Sequence, residues 1–119
     1  MSQPCSMVEL VLFDVGSLDD ERIVSAVGEI ARRGLHRGAI SDGADVAGML
    51  DRAGLADRFD LWLPGDGTSW PFDRAVSVTS VEPGRILFVS ADRDANDAAE
   101  GAGLQTCPDD LDQIDRRLP

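Results

Sequence analysis

The chain has 119 residues, of which 43% are hydrophobic, and this is the size and composition of one ordinary globular domain. Acidic residues outnumber basic ones by 22 to 11, and the resulting net charge of −11 repels nucleic-acid phosphate and anionic lipid. We therefore expect no nucleic-acid partner and no membrane partner. Apart from His36 every basic residue is an arginine, so no mechanism that requires a lysine is available.

The N-terminal segment has no basic start followed by an apolar run, so it does not resemble a secretory signal, and we expect a cytoplasmic protein. Residues 1–7 are expected to form a flexible N-terminus. Cys5 and Cys107 lie at opposite ends of the chain and outside any zinc-binding spacing, so we expect free thiols.

The first strand-helix unit is the clearest part of the pattern. The apolar segment Val8–Phe13 is too short for an ordinary helix and is typical of a buried strand, and Asp14 follows at its end. After a glycine-containing turn, apolar residues at helical spacing predict a helix that begins at Asp19 or Asp20 and ends before Gly34.

The rest of the chain repeats this alternation. Further strands are predicted, in chain order, at Leu35–Ile40, Asp60–Leu63, Ile86–Val89 and Leu104–Cys107. The helices between and after them are predicted at about 42–53, 72–81, 94–102 and 109–117. Alternating strands and helices favour parallel pairing with right-handed crossovers. The sequence thus predicts one α/β domain over residues 1–119, a three-layer α/β/α sandwich around a mainly parallel five-stranded sheet.

Polar residues follow three of these strands where the strands end. Asp14 follows the first, Ser41 the second and Asp92 the fourth. In open α/β sheets the ligand crevice lies beyond the carboxyl ends of the strands, so these three residues are the candidate site.

The segments that carry these residues also resemble known motifs. VLFDVGSL resembles the first motif of the haloacid dehalogenase-like (HAD) superfamily, hhhhDxDGTL, and GAISDGA resembles its second. GRILFVSADRDANDAAEGAGL resembles the fourth motif with its following helix. The likeness extends from Val8 to Cys107, and it implies a HAD-like Rossmannoid domain.

The resemblance implies roles for these residues. Asp14 corresponds to the nucleophile and Ser41 to the second-motif hydroxyl, while Asp92 and Asp97 keep a spacing that supplies a magnesium ligand and its supporting partner. A Mg²⁺ ion held by Asp14, Asp92 and Asp97 is the cofactor implied. The intervals between motifs hold only core elements, so the resemblance implies a cap-less, open site covered by a protein partner or by a second copy of the chain.

Three departures from the family pattern affect catalysis. Gly16 stands where the family has the aspartate that serves as general acid and base. Trp70-Pro71 takes the place of the lysine of the third motif, and a neutral indole cannot replace a cation. Ser90-Ala91 replaces a single glycine and lengthens the turn before Asp92.

Simpler interpretations stay open at each position. Asp14 is either a reactive carboxylate or a relic that caps its turn, and Ser41 is either a phosphate contact or a helix N-cap. Asp92 and Asp97 fit a solvated acidic turn equally well. Trp62 is expected in the core, whereas Trp70 is expected to shield the site or contact a partner.

Two functions remain. The first is a degenerate HAD-like binding, regulatory or accessory protein with little or no phosphatase activity, and the second is a weak Mg²⁺-dependent phosphohydrolase that uses Asp14 as nucleophile. A phospho-acceptor receiver domain is set aside, because it needs a lysine and an acceptor aspartate after the third strand, where this chain has Pro64.

Overall fold

Five strands alternate with four helices in the computed structural model. It describes residues 8–15, 20–41, 46–54, 56–64, 71–90 and 92–108, so the predicted flexible segment 1–7 and the predicted last helix 109–117 lie outside the described residues. In chain order the elements are β1 (Leu10–Asp14), α1 (Asp20–Arg32), β2 (His36–Ser41), α2 (Val46–Ala53), β3 (Leu61–Pro64), α3 (Phe72–Thr79), β4 (Ile86–Ser90), α4 (Arg93–Gly101) and β5 (Gln105–Pro108). Short 3₁₀ turns at Ala56–Arg58 and Pro83–Arg85 precede β3 and β4.

The five strands form one sheet in the order β3-β2-β1-β4-β5, and every neighbouring pair is parallel. This confirms the predicted fold class. The chain runs outward from β1 to β2 and β3, and then returns to the other side of β1 for β4 and β5. The direction of winding therefore reverses between β1 and β4, and such a switch point is where open α/β sheets form their ligand crevice.

The hydrophobic core lies on both faces of the sheet. Val11 and Phe13 of β1 pack on the face covered by α1, together with Ile23 and Ile30 of that helix, and every one of these is buried. Leu10 and Leu12 point to the opposite face, whose other members include residues of β2, β3, α3, β4 and α4. Because helices cover both faces, β1 and β4 are buried at every residue.

Three glycines end helices as the sequence predicts. Gly34, Gly54 and Gly103 follow α1, α2 and α4 with φ of 74°, 72° and 93°, a left-handed backbone that other residues rarely adopt. Ser80 ends α3 in the same way with φ of 60°, although it carries a side chain.

Charged side chains join the strands at their amino ends, which is the edge opposite to the candidate site. Arg85 donates to Glu9 at 2.6 Å, and Arg37 contacts Asp60 at 3.4 Å, so β1 is joined to β4 and β2 to β3. His36 is exposed at this edge. Among the described helices none is long and apolar enough to cross a lipid bilayer.

The prediction that Trp62 belongs to the core is wrong. Its side chain is 41% exposed. The physical reason is the strand order, since β3 is an edge strand and Trp62 has a neighbouring strand on only one side, at Ala39 of β2.

Packing between β2 and β1 yields a stability prediction. A Cβ atom added at Gly38 would lie 2.6 Å from Cδ2 of Leu12, whose side chain is fully buried. We expect Gly38→Val to lower the free energy of unfolding by about 1–3 kcal/mol through overpacking, as measured by urea denaturation.

Gly28→Ala is the matched control, because Gly28 lies in α1 with no atom within 4 Å of an added Cβ. It should raise the free energy of unfolding by about 0.5–1 kcal/mol through helix propensity. A Gly38→Val protein as stable as wild type would show that β1 and β2 are not packed as described.

Candidate functional site

Asp14 and Ser90 are the last residues of β1 and β4, the two strands that flank the switch point. Both are polar and yet buried, with exposed fractions of 3% for Asp14 and 0% for Ser90. Ser90 Oγ donates a hydrogen bond to Asp14 Oδ2 at 2.6 Å. A hydroxyl bound to a carboxylate at this distance makes a short, charge-assisted hydrogen bond, which is stronger than one between neutral groups.

The direction of this hydrogen bond is set by the backbone that follows Ser90. The N–H of Asp92 donates to Ser90 Oγ at 2.9 Å. Since the hydroxyl accepts from Asp92, its single proton is directed to Asp14. The β4–α4 loop therefore orients Ser90, and Ser90 in turn orients the carboxylate of Asp14.

Asp92 is the N-cap of α4. Its Oδ1 accepts a hydrogen bond from the N–H of Asp94 at 3.0 Å, and its own backbone is extended. This is the usual way in which an aspartate satisfies a free N–H group at a helix start. The side chain of Asp92 is exposed to solvent.

Asn96 fixes the same loop from the first turn of α4. Its Nδ2 donates to the carbonyl oxygens of Ser90 at 3.0 Å and of Asp92 at 3.2 Å. Asn96 is only 6% exposed, and its Oδ1 is buried without a hydrogen-bond partner. An unsatisfied buried acceptor costs about 1–3 kcal/mol, so this atom requires an explanation.

The structure brings some of the predicted site residues together. The hydroxyl of Ser90 contacts both Asp14 and Asp92. It donates to the carboxylate of Asp14 and accepts from the backbone N–H of Asp92. Ser41 ends β2 in register with Pro64, and its side chain lies outside the described residues, as do Gly16 and Trp70. A magnesium ion bound by Asp14, Asp92 and Asp97 stays a prediction.

The third carboxylate of the predicted magnesium site is that of Asp97. Asp97 is exposed on α4, one position beyond the buried Asn96. Within the ranges that the structure describes, no three histidine, cysteine, aspartate or glutamate side chains are grouped so as to hold a metal ion.

Two residues of the site, Ser90 and Asn96, are not among the predicted site residues, and the sequence pattern indicates for Ser90 only a longer turn before Asp92. A signal for each was present in the sequence. Ser90 ends an otherwise wholly apolar strand, and Asn96 falls at helical spacing with the buried Ala95 and Ala99. Their partners, however, depend on the strand order, which the sequence pattern leaves open.

Comparison with known proteins identifies the fold. No family model and no curated protein matches this sequence. Among solved structures, a predicted phosphoglycolate phosphatase from Haemophilus somnus matches with a TM-score of 0.65 and 19% identity over 73% of this chain and 42% of that one. The L-2-haloacid dehalogenase from Xanthobacter autotrophicus matches with a TM-score of 0.63 and 26% identity over 71% of this chain and 37% of that one.

A third structure is matched over most of its length. A hypothetical protein from Xanthomonas campestris has a TM-score of 0.63 and 19% identity, covering 98% of this chain and 72% of the other. By contrast, the chain spans less than half of the phosphatase and of the dehalogenase. The sheet is thus that of a doubly wound, parallel α/β core with an acidic residue at its switch point. More specifically, the chain has the HAD-like fold, which confirms the resemblance seen in the motifs.

A HAD-like fold implies Mg²⁺, and the donor atoms at the site suit it. Mg²⁺ binds oxygen ligands and is commonly held by one or two carboxylates together with water. Asp14 and Asp92 supply two carboxylates, and the buried Oδ1 of Asn96 is a further oxygen that lacks a hydrogen-bond partner. The residues present therefore fit the ion.

The hydrogen bond between Ser90 and Asp14 can be measured by a double-mutant cycle. We expect Ser90→Ala to lower the free energy of unfolding by about 1–3 kcal/mol, because a buried carboxylate loses a donor. Combined with Asp14→Ala, the cycle should give a coupling energy of about 1–3 kcal/mol in chemical denaturation.

Ser77→Ala serves as the control, since Ser77 is exposed on α3 and its substitution should change stability by no more than about 0.5 kcal/mol. A coupling energy near zero would show that Ser90 does not hold Asp14.

Proposed function

We propose that this chain is a degenerate HAD-like domain that acts as a binding, regulatory or accessory protein and has little or no phosphatase activity. The observation that carries the proposal is a mismatch at one site. The carboxylate of Asp14 is kept, buried and oriented, while the chain has no lysine at all and has glycine two positions after Asp14. The residue in the position of the nucleophile is present, but the general acid and the lysine that catalysis would need are missing.

The loss of reaction rate expected from the missing groups can be given as an order of magnitude. A general acid in position accelerates proton transfer by about 10²–10⁴-fold, and Gly16 supplies none. A lysine at the site would offset the charge of a phosphoryl group. Its absence matters more in a chain of net charge −11, because the whole protein repels the negatively charged substrate. Together these two losses favour a binding role over turnover.

The second candidate is a weak Mg²⁺-dependent phosphohydrolase, and the orientation of Asp14 by Ser90 favours it. The Ser90 hydroxyl holds the Asp14 carboxylate in one orientation at the switch point. Neighbours with this fold include a predicted phosphoglycolate phosphatase and a dehalogenase that carries chloropropionic acid covalently bound. The covalently bound ligand of the dehalogenase is in line with covalent chemistry at Asp14.

In this second candidate, an oxygen of Asp14 would attack the phosphorus of a phosphate ester, and the bond from phosphorus to the alcohol oxygen would break. The leaving alkoxide would take its proton from water, because Gly16 supplies no general acid. Water would then hydrolyse the aspartyl phosphate. Ser90 would keep the carboxylate in place, and Ser41 would contact the phosphoryl group. A cation held by Asp14, Asp92 and Asp97 would offset the charge of that group when bound.

The proposal also covers what surrounds the site. We propose that a protein partner or a second copy of the chain covers the site beyond β1 and β4, and that Trp70 contacts this partner. A cytoplasmic location completes the proposal, and the net charge of −11 argues against nucleic acid or an anionic membrane as partner.

A phosphatase assay separates the two candidates. With an aryl phosphate and Mg²⁺, we expect turnover at least about 10²-fold below a common enzymatic rate of about 10 s⁻¹, because the general acid is missing. Asp14→Asn, measured beside the wild type, removes the nucleophile and reports contaminating phosphatases. Slow turnover in wild type that disappears in Asp14→Asn would support the second candidate, and an ordinary rate that disappears in Asp14→Asn would overturn the proposal.

A further inference from the structure

The outer side of β3 is an edge of the sheet, since among the described strands β3 pairs with β2 alone. Its sequence is Leu-Trp-Leu-Pro, whereas β5 at the other edge is Gln-Thr-Cys-Pro. Trp62, within this apolar edge, is 41% exposed. Tryptophan is among the residue types enriched where protein interfaces gain most of their binding energy, so β3 is the candidate docking edge.

The backbone of Trp62 has its hydrogen-bonding groups on the outer side of β3. The carbonyl oxygen of Ile40 in β2 accepts from the N–H of Val15, which follows β1. The backbone groups of Ile40 therefore face β1, and those of the preceding Ala39 face β3. Ala39 lies opposite Trp62 in a parallel pair. Since a residue in such a pair bonds to the residues on either side of its opposite neighbour, the N–H and C=O of Trp62 are directed away from β2.

We infer that β3 pairs with β3 of a second copy of the chain, antiparallel and with Trp62 opposite Trp62. Residues that lie opposite each other in an antiparallel pair can exchange both of their N–H···O=C hydrogen bonds. Trp62 has one donor and one acceptor on its outer side, so it is complementary to itself about a two-fold axis. The two indole rings then lie on one face of the joined sheet as a cross-strand aromatic pair, which stabilises the contact.

The charges next to β3 allow a second copy to approach. Arg37, Asp57, Arg58 and Asp60 lie beside the strand or just before it, and their two positive and two negative charges cancel. The net charge of −11 is therefore carried by the rest of the chain, where it repels a second copy. The β3 edge is thus a surface on which two copies meet without a net repulsion between like charges.

The inference goes beyond the proposed function, because it concerns a different surface. In an antiparallel β3 pair the carboxyl edges of the two sheets point in opposite directions, and Asp14 of each copy lies at its own carboxyl edge. The contact through β3 is thus distinct from the one proposed over the site beyond β1 and β4. Its test and the phosphatase assay can fail independently of each other.

Sedimentation equilibrium of the whole chain tests the inference. A strand of 4 residues gives a small interface, so we expect a weak dimer that is populated at about 0.1–1 mM protein. Trp62→Ser should weaken the association at least about 10-fold, because it removes the aromatic side chain at the centre of the contact. Val78→Ser is the matched control, since Val78 is 61% exposed on α3, and it should change the dissociation constant less than about twofold.

Two results would overturn the inference. One is a wild-type chain that stays monomeric over this whole range of concentration. The other is a dimer that Trp62→Ser leaves as tight as that of the wild type, since another surface would then carry the contact.

Hydrogen exchange of the wild type covers the case in which Trp62→Ser does not fold. The outward N–H of Trp62 is open to solvent in the monomer and hydrogen-bonded in the dimer, so its exchange should slow as the protein concentration rises. The N–H of Val78, within α3, should exchange at the same rate throughout. A Trp62 amide whose exchange does not depend on concentration would contradict the inference.

Discussion

The hydrogen bond from Ser90 to Asp14 joins the two central strands at the point where the sheet reverses its direction of winding. Its distance is 2.6 Å, and the two residues are 76 positions apart in the chain. A buried carboxylate is costly unless it is hydrogen-bonded, so this contact allows a charged group to end a strand whose other residues are all apolar. The loop after β4 and the start of α4 are arranged around the same hydroxyl.

The rest of the site follows from this contact through the backbone. Asp92 donates its N–H to Ser90 and caps α4 with its side chain, while Asn96 donates to the carbonyls on either side of the turn. Ser90, which the motif resemblance places where the family has a glycine, thus has a hydrogen-bond partner in Asp14.

Much of the fold could be predicted because it depends on local periodicity. Apolar runs of strand length, helical spacing and three helix-ending glycines place the described elements within a few residues. Trp62 was misplaced because burial in a strand depends on whether the strand is central or at an edge, and only the strand order decides that. The site was predicted in part, since Asp14 and Asp92 end strands or follow them. The contact between Asp14 and Ser90 is long-range and has no local signature in the sequence. Asn96 is neutral, so a search for acidic ligands selects Asp97 instead.

The site retains Asp14 in the position of a nucleophile, although the chain has no lysine to assist catalysis. Asp14 is buried and hydrogen-bonded in a chain without lysine, and in the function that we propose its site serves binding rather than turnover. A crystal structure of the protein tests this account most directly. The account predicts Ser90 Oγ within hydrogen-bond distance of Asp14 Oδ2 and the Asn96 amide against the carbonyls of Ser90 and Asp92. A structure in which the Asp14 carboxylate turns away from Ser90 and is exposed to solvent would contradict it.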